Sequence, residues 1–277
     1  MFKLKDKAAV ITGAGRGIGR SIALAYAEQG ADIVLVARTE SQLEAVAEEV
    51  RERGQRAVVV PTNVQDIDAL RSAIDRCVTE FGKLDILVNN AGGGAGPGGF
   101  GLLIDVTEEG YDGLFELNDK APFFGMQHAC RIMRDQGHGG AIVNIVSIDG
   151  LTPAPQEALY GSAKAALSSQ TVAMAVEAGQ YGIRINAIAP ALIDTPLVAR
   201  ALQTDEDRMQ RASYYPLNRV GKPEDVAALA VFFASQEAEW ISGQSMLVAG
   251  GTHKASDVIR FLHDVNPLPP RGFADES

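Results

Sequence analysis

The sequence predicts an α/β fold: one doubly wound parallel sheet, a Rossmann fold of about seven strands with helices on both faces. Two observations carry that expectation. Short β-branched runs, apolar on both faces, alternate with longer helical stretches, as strands covered on both sides require. The first such run leads directly into a glycine-rich turn and then a helix, the order of a nucleotide-binding βα unit.

The elements follow in chain order. Ala8-Ala9-Val10-Ile11 reads as the first strand, and residues 18–29 as a helix stopped by Gly30. Ile33-Val34-Leu35-Val36 is the second strand, followed by a helix over 40–53 closed by Gly54. Val58-Val59-Val60, Ile86-Leu87-Val88, residues 141–145, residues 183–188 and Met246-Leu247-Val248 repeat the strand signal. Residues 92–101 hold too many glycines for helix or strand. No repeat, linker or composition shift divides the chain, so 1–251 reads as one domain and 252–277 as a C-terminal extension. Within that extension, residues 256–264 suit one short amphipathic helix.

Composition bounds the function. Of 277 residues, 46% are hydrophobic and 22% charged, which suits a globular core. The formal charge of −10 opposes nucleic acid or an anionic membrane surface as partner, because both select for clustered Lys and Arg. No apolar run nears the roughly 18–20 residues of a spanning helix. The first seven residues carry signal-peptide charges with no apolar stretch after them. A soluble, cytoplasmic protein is expected. Cys77 and Cys130 make neither a disulfide framework nor a metal knuckle, and the four histidines lack ligand spacing. No metal is expected.

The turn Thr12-Gly13-Ala14-Gly15-Arg16-Gly17-Ile18-Gly19 carries the first chemistry. Glycines let backbone approach a pyrophosphate, and the free N–H groups of the following helix favour negative charge. The spacing is G-x-x-x-G-x-G, and a plain tight turn is the bland alternative; its place after the first strand favours the cofactor. The second strand ends at Val36-Ala37-Arg38, where an acidic residue would grip the ribose 2′-hydroxyl of NAD. Arg38 and Arg16 suit a 2′-phosphate instead, which favours NADP(H) while NAD(H) stays possible. Solvated surface arginines, or Arg38 stacked on adenine, are the alternatives.

Tyr160 and Lys164 stand four residues apart, so on a helix the phenol and ammonium are neighbours. A fixed positive charge favours the phenolate, which fits Tyr160 for acid/base work near neutral pH. Alone, Y-x-x-x-K is a common accident. Ser147, thirteen residues earlier at the end of a strand, gives it weight.

The chain resembles the short-chain dehydrogenase/reductase family, of the single-domain type with a Tyr-x-x-x-Lys site. The matches run from residue 3 to about residue 251, and as an ordered set they are highly specific. They include Gly13, Gly17 and Gly19, Asn89-Asn90-Ala91-Gly92, Asn118, Ser147, Tyr160 with Lys164, and Asn186-Ala187-Ile188-Ala189-Pro190. The resemblance implies that Tyr160 exchanges the proton with the alcohol or ketone oxygen and that Ser147 hydrogen-bonds that oxygen. It implies that Lys164 binds the nicotinamide ribose and keeps the Tyr160 pKa low, while Asn118 positions a relay water. It places Asn90, Ala91 and Gly92 along the adenosine ribose, Asn63 and Val64 at the adenine, and Ile193 and Thr195, after Pro190, at the carboxamide and phosphates. Asn63 stands where the family usually has Asp, and Ala191 where it usually has Gly.

The segments able to reach substrate are 93–103, 149–156 and a lid at about 192–216. They offer Leu103, Leu151, Pro153, Pro155, Leu192, Leu197, Leu202, Met209 and Tyr214. Half of these would simply pack a lid helix under the bland alternative. With few charges expected to face the pocket, a small-molecule secondary alcohol or ketone, apolar or cyclic, is the expected substrate. The alternative is 3-oxoacyl-(acyl-carrier-protein) reductase, which shares the catalytic residues. Sparse basic residues around 134–139 and 178–182, and the −10 charge, oppose an acidic carrier protein. The resemblance also implies a homotetramer, with interfaces at the helices of Asn118 and Tyr160 and at the last strand. The extension either crosses a subunit interface or is a loose terminus.

Overall fold

The computed structural model describes residues 3–94, 98–152 and 154–253. The strands are β1 (Ala8–Thr12), β2 (Asp32–Ala37), β3 (Ala57–Pro61), β4 (Ile86–Asn89), β5 (Gly140–Ile145), β6 (Ile183–Pro190) and β7 (Ser245–Val248). The helices are α1 (Gly17–Glu28), α2 (Glu40–Glu52), α3 (Ile67–Phe81), α4 (Glu108–Phe115), α5 (Ala121–Gln136), α6 (Ala158–Ala178), α7 (Asp205–Ala212) and α8 (Pro223–Ala234). Each strand expected from its apolar run is present, to within about two residues at its ends. The extension beyond His253, with its expected helix and His263, lies outside the described residues, as does Pro153.

The sheet runs β3-β2-β1-β4-β5-β6-β7, with every pairing parallel. The chain winds outward from β1 to β3, then crosses back to lay β4 on the other side of β1. That reversal opens a crevice at the carboxyl ends of β1 and β4, where open α/β sheets bind ligands. Thr12 and Asn89 close those two strands and stand at its floor.

Two apolar layers sandwich the sheet. On one face Ile22 and Tyr26 of α1, Leu43 and Val46 of α2, and Val226 and Ala230 of α8 pack on Ile11 and Leu35. On the other, Leu70 and Ile74 of α3, Met126 and Met133 of α5, and Leu167 of α6 pack on Val10, Leu87 and Ile185. Strands buried on both faces have no polar side to alternate, which explains their continuous apolar runs. At the amino end of β4, buried Asp85 accepts from the Ala8 N–H at 2.9 Å and from Lys7 and Lys83, each at 3.1 Å. Burial raises its pKa, but that N–H and the two ammoniums outweigh it and hold the carboxyl below the usual aspartate range.

Candidate active site

The glycine turn is built for a close backbone approach. Gly13 and Gly17 have φ of +67° and +57°, a region L side chains rarely enter. A Cβ on Gly13 would lie 2.7 Å from Asn90 Nδ2, and one on Gly19 would collide with the Gly13 carbonyl. α1 begins at Gly17 with Arg16 as N-cap and no side-chain cap, whereas α3 is capped by Asp66, which accepts from the Asp68 and Ala69 N–H groups. An uncapped N-terminus behind a glycine cradle fits a pyrophosphate. A Cβ on Gly17 would lie 3.3 Å from Thr195 Cγ2, so the structure brings Thr195 to the same turn as the glycines.

Around this turn the other cofactor candidates take their places. The Ala14 N–H donates to the Val36 carbonyl at 3.2 Å, which sets the turn beside the end of β2 and therefore beside Arg38. Arg16 and Arg38 are exposed, and neither has an ion pair with any described residue. Buried Gly15 packs against Gln42 of α2; Ile18 is half-buried. Asn63, exposed after β3, accepts the Gln65 N–H at 3.3 Å, and Val64 is buried. Pro190 ends β6, and Ile193 is buried and bridges Gly221. At Ala191 the backbone avoids positive φ, so the glycine usual in the family is not required there.

The second group sits at the ends of β5 and α6. Ser147 follows β5 and caps the short 3₁₀ turn Ile148–Gly150, while Tyr160 and Lys164 project from successive turns of α6. Ser147 stands beside Tyr160, near enough for its hydroxyl to act on the phenol. Buried Lys164 donates from Nζ to the Ile145 carbonyl at 3.0 Å and lies 5.7 Å from the Tyr160 ring centre. A Cβ on Gly92 would lie 2.9 Å from both Asn118 Oδ1 and Lys164 Nζ, so Gly92 leaves room for both.

Three expectations are corrected here. Tyr160 does not have a lowered pKa: burial pushes its phenol above the ordinary value, Asp149 and Glu157 add to the rise, and the neighbouring Ser147 hydroxyl only partly opposes it. The Lys164 ammonium is turned to a carbonyl and is itself brought down to about 8 by burial. Asn118 is fully buried in a π-helical turn (Glu116–Lys120), where π turns often mark functional sites. Its carboxamide is taken up by the backbone: it accepts the Gly93 N–H and donates to the Gly93 and Leu114 carbonyls. The Asn118 side chain thus clamps the loop after β4, a structural task the sequence reading did not give it.

The third correction concerns the mouth of the site. Few charges were expected there, yet Asp149 Oδ2 accepts from Ser147 Oγ at 2.8 Å. Apolar groups are also present. The Phe100 ring lies 5.6 Å from that of Tyr160, and the Gly101 N–H donates to the Gln156 carbonyl at 2.9 Å, tying the glycine-rich loop to the entry of α6. Leu103, Leu151, Leu197 and Met209 are exposed, whereas Leu202 is buried. An Arg208–Asp194 ion pair ties α7 to the segment after β6.

The sequence pattern did not show the scaffolding roles of Thr12, Asn89 and Asn90, and Asn144 and Thr171 escaped it altogether. Thr12 Oγ1 accepts the N–H groups of Asn90 and Ala91, each at 3.0 Å, and donates to the Val88 carbonyl at 3.2 Å. Asn90 Nδ2 donates to the carbonyls of Thr12 and Gly13, so this side chain scaffolds the glycine turn. Beneath the site, Asn89 donates to Asn144 at 2.9 Å and Asn144 to Thr171 at 2.9 Å, joining β4, β5 and α6 through buried amides. Ser/Thr and Asn are common enough that only their burial reveals them.

Comparison with known proteins agrees with this architecture. A family model described as enoyl-(acyl carrier protein) reductase matches residues 13–253. The L-rhamnose 1-dehydrogenase (NAD(P)(+)) of Azotobacter vinelandii is 37% identical over 252 residues, covering 90% of this chain and 97% of that one. A short-chain type dehydrogenase/reductase from Mycobacterium marinum superposes with a TM-score of 0.83 at 34% identity, covering 90% of this chain and 96% of that one. Carveol dehydrogenase from Mycobacterium avium in complex with NAD gives 0.85 at 27% identity, covering 90% and 98%.

Proposed function

The chain belongs to the short-chain dehydrogenase/reductase family, whose members act on CH–OH groups with a nicotinamide cofactor, and we propose that it interconverts a secondary alcohol and a ketone on an apolar or cyclic small molecule with NADP(H). The observation that carries this reading is the gathering of Ser147 at the end of β5 with Tyr160 and, on the next turn of α6, Lys164, whose Nζ lies 5.7 Å from the Tyr160 ring centre, at the mouth of the crevice beside the glycine cradle.

In this reading Gly13, Gly15, Arg16, Gly17, Ile18 and Gly19 hold the pyrophosphate, joined by Thr195. Arg16 and Arg38 take the 2′-phosphate, Asn63 and Val64 the adenine, Asn90, Ala91 and Gly92 the ribose side, and Pro190 and Ile193 the carboxamide. When bound, NADP(H) supplies the acceptor or donor of the hydride. Lys164 holds the nicotinamide ribose. Ser147 fixes the reacting oxygen. Tyr160 gives that oxygen a proton in reduction and takes it in oxidation, contributing on the order of 10²–10⁴-fold to rate. A phenol kept protonated by burial and by Asp149 and Glu157 is suited to the acid role. Asn118 contributes by holding the Gly93 backbone in place beside Lys164.

A homotetramer is part of the reading. β7 is an open sheet edge, and Val172 and Val176 on α6 and Trp240 before β7 are exposed; burying such surface between subunits is favourable. Nicotinamide absorbance with purified enzyme tests the function, crossing NADPH and NADH with cyclic ketones, steroids and a 3-oxoacyl thioester. Turnover of cyclic ketones with the thioester silent supports it; preferred turnover of the thioester overturns the substrate class in favour of the carrier-protein reductase.

A further inference from the structure

The hydroxyl of Ser147 has one hydrogen to give. That hydrogen goes to Asp149 Oδ2 at 2.8 Å, while Ser147 Oγ accepts the Asp149 N–H at 3.2 Å. The carboxylate is not placed by chance. A Cβ on Gly161 would lie 2.7 Å from the Asp149 carbonyl oxygen, and one on Gly150 would lie 2.7 Å from the Lys164 carbonyl carbon. Residues 149–150 are therefore pressed onto the turns of α6 that carry Tyr160 and Lys164. Glycines at both contacts allow this approach, and it fixes a charged acceptor next to the reacting centre.

We propose that Asp149 determines substrate specificity by reading a hydroxyl group on the carbon next to the reacting one, so that the preferred substrates are cyclic vicinal diols and the matching α-hydroxyketones. The inference rests on the reaction proposed above and narrows its substrate class. There, the reacting oxygen sits on Ser147 and Tyr160, and the next acceptor beyond Ser147 is Asp149, one hydrogen-bond length further. The two oxygens of a vicinal diol are spaced by a similar length. The neighbouring hydroxyl donates to Asp149, and the Ser147 hydrogen is released toward the reacting oxygen. A simple alcohol or ketone has no second hydroxyl to offer in exchange and must draw the Ser147 hydrogen off a carboxylate, which is an acceptor only. The Phe100 ring against Tyr160 supplies an apolar wall for the body of a ring substrate.

A hydrogen bond to a charged group sets the expected discrimination at about tenfold or more. The test measures binding of cyclohexane-1,2-diol and of cyclohexanol to the enzyme–NADP⁺ complex by calorimetry, with kcat and KM for both, in the wild type, Asp149→Ala and Asp149→Asn. The expected result is an approximately tenfold preference for the diol in the wild type that disappears in Asp149→Ala. In that variant kcat for cyclohexanol rises because Ser147 is freed, a change that loss of packing would not produce. Equal binding of the two alcohols by the wild type, or a preference that survives in Asp149→Ala, overturns the assignment. The binding ratio is read whether or not either alcohol turns over. Silence of both in turnover counts against the proposed reaction, while a ratio of one counts against Asp149.

Discussion

Lys164 Nζ donates to the Ile145 carbonyl at 3.0 Å and stands 5.7 Å from the centre of the Tyr160 ring. Its charge is thus anchored to the end of β5, not paired with the phenol. The carboxylates of Asp149 and Glu157 oppose ionisation of Tyr160 and add to the larger effect of burial.

This arrangement fixes a pH dependence. Reduction needs protonated Tyr160, so its rate is expected to stay level through neutral pH and fall only in alkali. Oxidation needs the phenolate and is expected to climb with pH. Asp149→Asn removes one negative neighbour, lowers the Tyr160 pKa and moves both limbs to lower pH. Profiles of kcat/KM against pH in the two directions check this; limbs that stay or move upward contradict it.

The proposed preference for NADP(H) rests on Arg16 and Arg38, two arginines without an ion pair among the described residues. Arg38→Ala is expected to raise KM for NADPH about tenfold, the worth of one charge-assisted contact, and to leave NADH unaltered. Kinetics with both cofactors decide it, and an unchanged preference removes Arg38 from the 2′-phosphate site.

Thr12 tests the scaffold beneath the cofactor turn. Thr12→Val keeps the shape but strands the N–H groups of Asn90 and Ala91. The expected cost is about 2 kcal/mol in urea unfolding, together with weaker NADPH binding measured by fluorescence. A variant as stable as the wild type contradicts the role given to this hydroxyl.

Stability in acid depends on the far end of the sheet. The Asp85 carboxyl has a pKa held below its unfolded value, so the stability it contributes is present above the unfolded aspartate range and lost as pH falls through the folded value. Asp85→Asn is expected to cost about 2 kcal/mol near neutral pH, and the gap to the wild type should narrow in acid. Urea midpoints at neutral and acid pH measure both.

Much of this was legible in the sequence, and the physical reason is periodicity and spacing. Continuous β-branched runs gave away strands buried on both faces, and glycines before α1 gave away the cradle. Ser147, Tyr160 and Lys164 were visible because their order and separation are distinctive. The partners that tune them were not. Lys164 meets a backbone carbonyl, which no side-chain pattern announces. Asn118 looks like any helix amide until burial shows its carboxamide spent on Gly93 and Leu114. Asp149 reads as an ordinary loop carboxylate, and only the packing of its backbone on Gly161 and its hydrogen bond from Ser147 reveal its place in the site. The Asn89–Asn144–Thr171 chain joins three elements far apart along the chain.

The most direct test of the central claim is a Tyr160→Phe variant, measured for both cofactor binding and turnover of whichever ketone the wild type reduces. The account predicts NADPH binding close to that of the wild type with kcat lower by roughly 10²–10⁴-fold, because the phenyl ring keeps the packing with Phe100 and removes only the proton carrier. A Tyr160→Phe enzyme that binds NADPH and still turns over at the wild-type rate would contradict it.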